Sequence, residues 1–191
     1  KKMETTSIKD MFSALFHNDQ AMLTVITIVL INSALYITSN LILYFFKYDL
    51  GTELWKNNYT LFTTIGGATQ ILGMMVLYPV LRNKLSNTTI FKTSLCMAIL
   101  GYALLLFASF MNLAHNMVIL CLIGALVFSA NGMLSVLTTV FLSTSVDYGE
   151  MKTGRREESV IFSMQTFVVK AASGLAVFLT GIGLDMIGLA G

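Results

Sequence analysis

Lys170 is the side chain best placed to do chemistry in this sequence, because it lies within an apolar stretch that runs from Ile161 to Leu184. An unpaired Lys at the centre of a membrane-spanning helix costs about 2.5 to 3.5 kcal/mol, so such residues usually face protein or water and mark solute pathways. Polar neighbours recur at helical steps of three and four and share one face with it: Ser163, Thr166 and Ser173. We predict a substrate pathway along this face, the alternative being a structural ion pair with another helix.

Two further apolar stretches carry polar side chains at helical spacing, which predicts faces able to bind a hydroxyl-rich solute. They are Asn32 and Tyr36 in the first stretch, and Asn131 and Ser135 in the fourth. The alternative for each one is that it holds helices together, at about 0.6 kcal/mol on average. Combined with Thr166 and Lys170, the set predicts a substrate pathway.

The segment from Asp147 to Glu158, DYGEMKTGRREE, places seven charged residues between two apolar stretches. Gly149 and Gly154 permit tight turns within it, and opposite charges could pair across helix ends. We predict a connector that acts as a cytoplasmic gate held by ion pairs. The alternative is a charged loop that is simply solvated.

The remaining residue types suited to metal binding or catalysis form no pattern. The two cysteines lie in apolar stretches and the two histidines in separate connectors: Cys96, Cys121, His17 and His115. No histidine, acid or base-activated nucleophile occurs within the apolar stretches, whereas acid-base and covalent catalysis require such groups. We therefore expect no cofactor, no His/Cys metal site and no enzyme activity.

Composition requires a membrane. Hydrophobic residues make up 55% of the 191 residues and charged residues only 12%, against about 25% charged residues in soluble domains. The net charge of +2 has no basic stripe, which excludes nucleic acid as an expected partner. The expected environment is a lipid bilayer.

Five apolar stretches reach the length of about 20 residues that a membrane-spanning helix needs. They are 21–46, 59–81, 90–110, 117–146 and 161–184, preceded by a cytoplasmic segment at 1–20. The fold class predicted is therefore an all-α polytopic membrane protein. Because the chain starts at Lys1 and ends just after an apolar stretch, we expect a fragment. Three glycines are expected to permit close helix approach: Gly66, Gly67 and Gly132.

Basic residues are unequally divided between the connectors, and short cytoplasmic connectors carry the excess of Lys and Arg. Nine fall on one predicted side: Lys1, Lys2, Lys9, Arg82, Lys84, Lys92, Lys152, Arg155 and Arg156. The other side has only Lys47 and Lys56. This predicts a multi-pass protein of the cell membrane with a cytoplasmic amino end.

The run VDYGEMKTGRREESVIFSMQTFVVKAASG, residues 146–174, resembles the signature between helices ten and eleven of the glycoside-pentoside-hexuronide:cation symporters, the melibiose permease family. The segment FHNDQ at 16–20 is similar to the one that precedes helix seven in that family. The resemblance covers essentially the whole chain. It implies helices seven to eleven of a twelve-helix major facilitator fold.

That resemblance implies a sugar moved together with Na⁺, Li⁺ or H⁺ by alternating access. Lys170 matches a lysine in the family's polar cavity, and Asp147, Arg156 and Glu158 match charges that close the cytoplasmic side. The coupling cation is expected to bind mainly in the amino-terminal half, which is the implied partner of this chain. Ser135, Thr144 and Met151 depart from the family's pattern. Because of the departure at Ser135, the resemblance does not identify which sugar is carried. The alternatives are an uncoupled facilitator or sensor, or an accessory subunit or enzyme.

Overall fold

The computed structural model describes residues 13, 16–49, 53–111, 116–154, 158–186 and 188. Within these ranges the regular structure is helical throughout. Five helical stretches are long and apolar enough to cross a membrane: Asp19–Tyr48, Trp55–Arg82, Asn87–Phe110, Met117–Lys152 and Glu158–Met186. The all-helical architecture with five candidate spans is therefore confirmed.

The helices are numbered here in chain order. They are α1 (Asp19–Tyr44), α2 (Trp55–Leu72), α3 (Tyr78–Arg82), α4 (Asn87–Phe110), α5 (Met117–Thr153) and α6 (Glu158–Met186). A π-helical turn at Phe45–Asp49 continues α1, and another at Gly73–Leu77 joins α2 to α3. The second span is thus one helical rod with a π-helical segment in its middle.

The connector predicted between Asp147 and Glu158 is not a loop over its first part, where the structure corrects the sequence interpretation. Helix α5 continues through Thr153. Residues such as Glu150 and Lys152 have good helix propensity, so the helix need not end where the apolar stretch ends. It stops at Gly154, whose φ of 71° lies in the left-handed region and whose N–H donates to the Glu150 carbonyl at 2.8 Å. At the other end of the connector, Glu158 begins α6.

The chain divides into two compact units. The first comprises Lys1–Asn40 and Thr138–Gly191. Its buried core joins α1, α5 and α6 through seven apolar side chains: Ala21, Val25, Ile28, Leu142, Val146, Ile161 and Met164. This core fixes which faces of α1 and α6 are turned inward.

The second unit, Leu41–Leu137, has an aromatic core. The Phe46 and Phe62 rings lie 5.2 Å apart, and Phe128 of α5 meets Phe62 edge-on at 5.7 Å. Ala130 and Leu134 of α5 are buried in a further cluster with Ala98 of α4. Helix α5 therefore packs against both α2 and α4 in this unit.

Glycines bring α2 and α5 into close contact within the second unit. A Cβ added at Gly66 would overlap the Phe128 ring, and one at Gly132 would overlap the Gln70 carbonyl oxygen. The predicted packing role is confirmed at these two positions. It is not supported at Gly67, which lies on a different face of α2: no atom of another helix in the described part of the chain lies within 4 Å of such a Cβ.

Candidate functional site

Helix α6 has one apolar face and one polar face, and the two are turned in opposite directions. Ile161, Met164, Ala172 and Ala176 are buried on the apolar face. The polar stripe, defined here as Ser163, Thr166, Lys170 and Ser173, is exposed at its first three positions and half-buried at Ser173. The core of the first unit thus turns the polar stripe away from α1 and α5.

Lys170 lies deep within α6. It follows Glu158 by twelve positions, which at 1.5 Å per residue is about 18 Å along the helix axis. Among the described residues its ammonium makes no ion pair. An ammonium at that depth in an apolar helix requires water or another polar surface against it.

Two hydroxyl groups of the polar stripe hydrogen-bond to their own helix. Thr166 Oγ1 donates to the Phe162 carbonyl at 2.9 Å, and Ser173 Oγ donates to the Lys170 carbonyl at 2.8 Å. Because each hydroxyl proton is used, the oxygens remain as acceptors. The stripe therefore offers one cationic donor with hydroxyl acceptors beside it.

On α1, Asn32 and Tyr36 are half-buried in the first unit. Asn32 Nδ2 donates to the Ile28 carbonyl of the same helix at 2.8 Å. This local bond leaves the amide oxygen as the group that Asn32 can present to a ligand. The two residues share the unit that carries Thr166 and Lys170.

On α5, Asn131 and Ser135 belong to the second unit and lie in different surroundings. Asn131 is only 8% exposed, and its Nδ2 lies 3.5 Å from the Tyr102 hydroxyl of α4. Its Oδ1 is buried and accepts no hydrogen bond from the described residues. Ser135 is exposed and donates to the Asn131 carbonyl at 3.0 Å. The helical spacing did not reveal that Asn131 faces α4.

The predicted gate residues are only partly described. Asp147 is exposed on α5 and Glu158 is exposed at the start of α6, where its charge is favourable to the helix dipole. Arg156 lies outside the described residues. An ion pair joins Lys152 Nζ, within the predicted gate segment on α5, to Asp19 Oδ2 at the start of α1 at 3.3 Å.

Sequence reasoning missed Asn18, which is buried beside the start of α1 and bonded to α5. A signal was present, since an Asn directly before an apolar helical stretch is a typical N-cap. Its second bond, to Ser145, joins positions 127 residues apart and has no local signature.

The arrangement can bind a solute by hydrogen bonds and one positive charge. The described residues hold no group of three His, Cys, Asp or Glu side chains able to bind a metal ion. Hydroxyl oxygens and an ammonium suit a polyhydroxylated or carboxylated molecule.

Comparison with known proteins identifies relatives along the chain. Residues 1–191 match the model of a family described as MFS/sugar transport protein. A lactose permease from Lactobacillus helveticus is 28% identical over 192 residues, covering 98% of this chain and 28% of the relative. An uncharacterized symporter from Bacillus subtilis (strain 168) is 29% identical over 177 residues, covering 91% of this chain and 36% of the relative.

A raffinose carrier protein from Pediococcus pentosaceus is 25% identical over 178 residues, covering 92% of this chain and 26% of the relative. The chain spans about a quarter to a third of the length of these curated relatives. The family and the relatives' names indicate a transporter and not an enzyme.

Proposed function

Because the chain belongs to the MFS/sugar transport protein family, we propose that it forms the carboxy-terminal part of a cation-coupled sugar symporter. The observation that carries this proposal is the polar stripe of α6, which holds Lys170 on an outward face of an apolar helix. Such a face is stable in a membrane when it borders a water-filled path or further protein. A partner half of the same protein would supply that border.

The substrate class proposed is a glycoside, pentoside or hexuronide. The relatives named for lactose and raffinose support a sugar with several hydroxyl groups. Lys170 would donate to a sugar oxygen or carboxylate on the outward face of α6, with Thr166 as an acceptor beside it. Asn32 and Tyr36 lie on α1, from which that face is turned away, and would line a separate part of the proposed pathway. Asn131 and Ser135 remain proposed pathway residues of the second unit.

Transport would proceed by alternating access without chemical change in the sugar. The coupling cation, Na⁺ or H⁺, would bind mainly to residues outside this chain. Asp147, Arg156 and Glu158 would close the cytoplasmic end by ion pairing, while the lipid bilayer surrounds the apolar faces.

The protein is proposed to lie in the cell membrane with the start of α1 on the cytoplasmic side. The excess of Lys and Arg in three of the connectors supports this orientation. An impermeant thiol reagent tests it: we expect Met151→Cys to react in inside-out vesicles and to be protected in right-side-out ones. The reverse result would invert the orientation.

Lys170→Ala tests the proposed pathway. In vesicles containing the full gene product, we expect labelled-sugar uptake driven by an imposed Na⁺ or H⁺ gradient to fall about ten- to hundredfold. That is the loss expected when a hydrogen bond to a charged group is removed. The amount of protein in the membrane is measured in the same vesicles.

Lys92→Ala is the matched control, because Lys92 is also exposed but lies in the second turn of α4. It should leave uptake within about twofold of the parent, as expected for surface substitutions. Uptake at the parental rate in Lys170→Ala would contradict the pathway assignment. Uptake indifferent to both gradients would favour the uncoupled facilitator.

A further inference from the structure

We propose that Asn18 is a positioning residue for transport, because it holds the proposed cytoplasmic end of α5 against the start of α1 and so sets the direction of Asp147, the residue of the proposed gate that lies on α5. The inference rests on the proposed function for its effect on transport. The contact between Asn18 and Ser145 does not depend on the proposed function. We call Asn18, Thr24, Ser145 and Gly149 the polar clasp; all four lie in the first unit.

Asn18 uses both ends of its amide. The side chain is only 4% exposed. Its Oδ1 accepts from the Ala21 N–H at 3.0 Å, which caps α1, and its Nδ2 donates to the Ser145 carbonyl at 2.9 Å. Because a buried polar group is costly to leave unpaired, these two bonds fix the amide to both helices at once.

Ser145 provides a second link between the same helices. It is 3% exposed, and its hydroxyl oxygen lies 2.8 Å from Thr24 Oγ1. The Ser145 hydroxyl also lies 2.8 Å from the Phe141 carbonyl of its own helix. Backbone and side chain of Ser145 are therefore both bonded to α1.

Gly149 makes room for the Asn18 amide. It lies one turn after Ser145 on α5, and a Cβ built at this position would overlap Asn18 Nδ2. An alanine here would have to displace the amide from the Ser145 carbonyl. The clasp thus requires a residue without a side chain at position 149.

The nearby ion pair contributes less. Lys152 and Asp19 side chains are 45% and 77% exposed, and pairs in such surroundings are weak because water screens them. The buried hydrogen bonds of the clasp, rather than this ion pair, hold α5 in place.

The polar clasp fixes the direction in which Asp147 projects from α5. Ser145 and Gly149 share one face of α5, whereas Asp147 lies about 200° around the helix from Ser145. Asp147 is accordingly exposed while Ser145 and Gly149 are buried. Rotation of α5 about its axis would move Asp147 and the clasp together, so fixing one face sets the direction of the other.

Asn18→Asp separates capping from clasping. An aspartate caps a helix as well as an asparagine does, but the ionised carboxylate has no proton to donate to the Ser145 carbonyl. In the full gene product we expect the maximal rate of sugar uptake to fall about tenfold, with KM changed less than about twofold. Asp19→Asn removes only the exposed ion pair, so its maximal rate and its KM should both stay within about twofold of the parent values.

Gly149→Ala provides an independent variant in case Asn18→Asp disturbs folding. Alone it should reduce the maximal rate by a similar factor. In an Asn18→Ala background the added methyl group occupies the space left by the amide, so the double variant should be no worse than Asn18→Ala. Contacting residues are expected to show this non-additivity. Additive losses would overturn the clasp.

A reporter that does not depend on transport completes the experiment. Met151 is 81% exposed near the end of α5, so Met151→Cys can report the local conformation by its rate of alkylation from the cytoplasmic side. The reporter is placed in a variant of the full gene product from which all other cysteines, including Cys96 and Cys121, have been removed. We expect Asn18→Asp to change this rate several-fold and Asp19→Asn to leave it unchanged.

Equal alkylation rates of the Met151→Cys reporter, whether alone or combined with Asn18→Asp or Gly149→Ala, would overturn the proposal even if sugar uptake is strong. Absence of sugar uptake by the parent would instead refute the proposed function, and the alkylation rates would still decide whether the clasp positions α5.

Discussion

Two asparagines are buried in the described helices and their flanks, and they differ in how well their amides are satisfied. Asn18 makes a hydrogen bond through each end of its amide, one to α1 and one to α5. Asn131 makes one long contact to Tyr102, and its oxygen accepts no bond from the described residues. The same chemical group should therefore contribute to stability with opposite sign at the two positions.

The substitution to Leu, made at each asparagine, tests this contrast. Asn18→Leu removes two satisfied bonds and should lower the free energy of unfolding by about 1 to 3 kcal/mol. Asn131→Leu removes an unsatisfied oxygen while nearly conserving volume, so it should be neutral or stabilising by about 1 kcal/mol. Thermal unfolding in detergent measures both, and a larger loss at Asn131 would contradict the structure.

The functional residues differ in how far the sequence alone predicts their surroundings. The polar stripe of α6 was predictable, because helical spacing places Thr166 and Lys170 on one face whatever surrounds the helix. The environment of Asn131 was not, since spacing does not reveal which helix packs against a face. The Asn18 contact with Ser145 depends on helix placement in three dimensions, which no local pattern encodes.

At the scale of elements, the apolar stretches identified the spans but not their ends. Helix α5 continues for seven residues past the predicted end at 146, through charged side chains that are compatible with a helix in water. Gly154 ends it by adopting a left-handed conformation. Hydropathy marks where a helix enters lipid, whereas backbone chemistry marks where the helix stops.

The close contact between α2 and α5 can be tested at two glycines. Gly132→Ala would place a methyl group against the Gln70 carbonyl oxygen, which cannot rotate away, and should destabilise by about 1 to 3 kcal/mol. Gly67→Ala meets no described side chain or backbone atom of another helix and should be neutral or stabilising by up to about 1 kcal/mol. Thermal unfolding of both variants is the measurement, and equal effects would contradict the close approach at Gly132.

At the scale of the whole molecule, composition alone required a membrane and five apolar stretches required a helical fold. The solute path was less accessible to prediction, because Lys170 needs a partner surface and this chain matches only about a quarter to a third of the length of its relatives. The exposed polar stripe of α6 indicates where that surface would lie. The coupling cation is expected to act through residues beyond this chain.

Symport requires sugar and cation to bind cooperatively, and reciprocal linkage gives the most direct test. The full gene product is titrated with a labelled sugar at several Na⁺ concentrations and pH values. We predict that Na⁺ or H⁺ raises sugar affinity, and that the sugar raises cation affinity by the same factor. Sugar affinity that stays constant across the whole range of Na⁺ and pH would contradict symport.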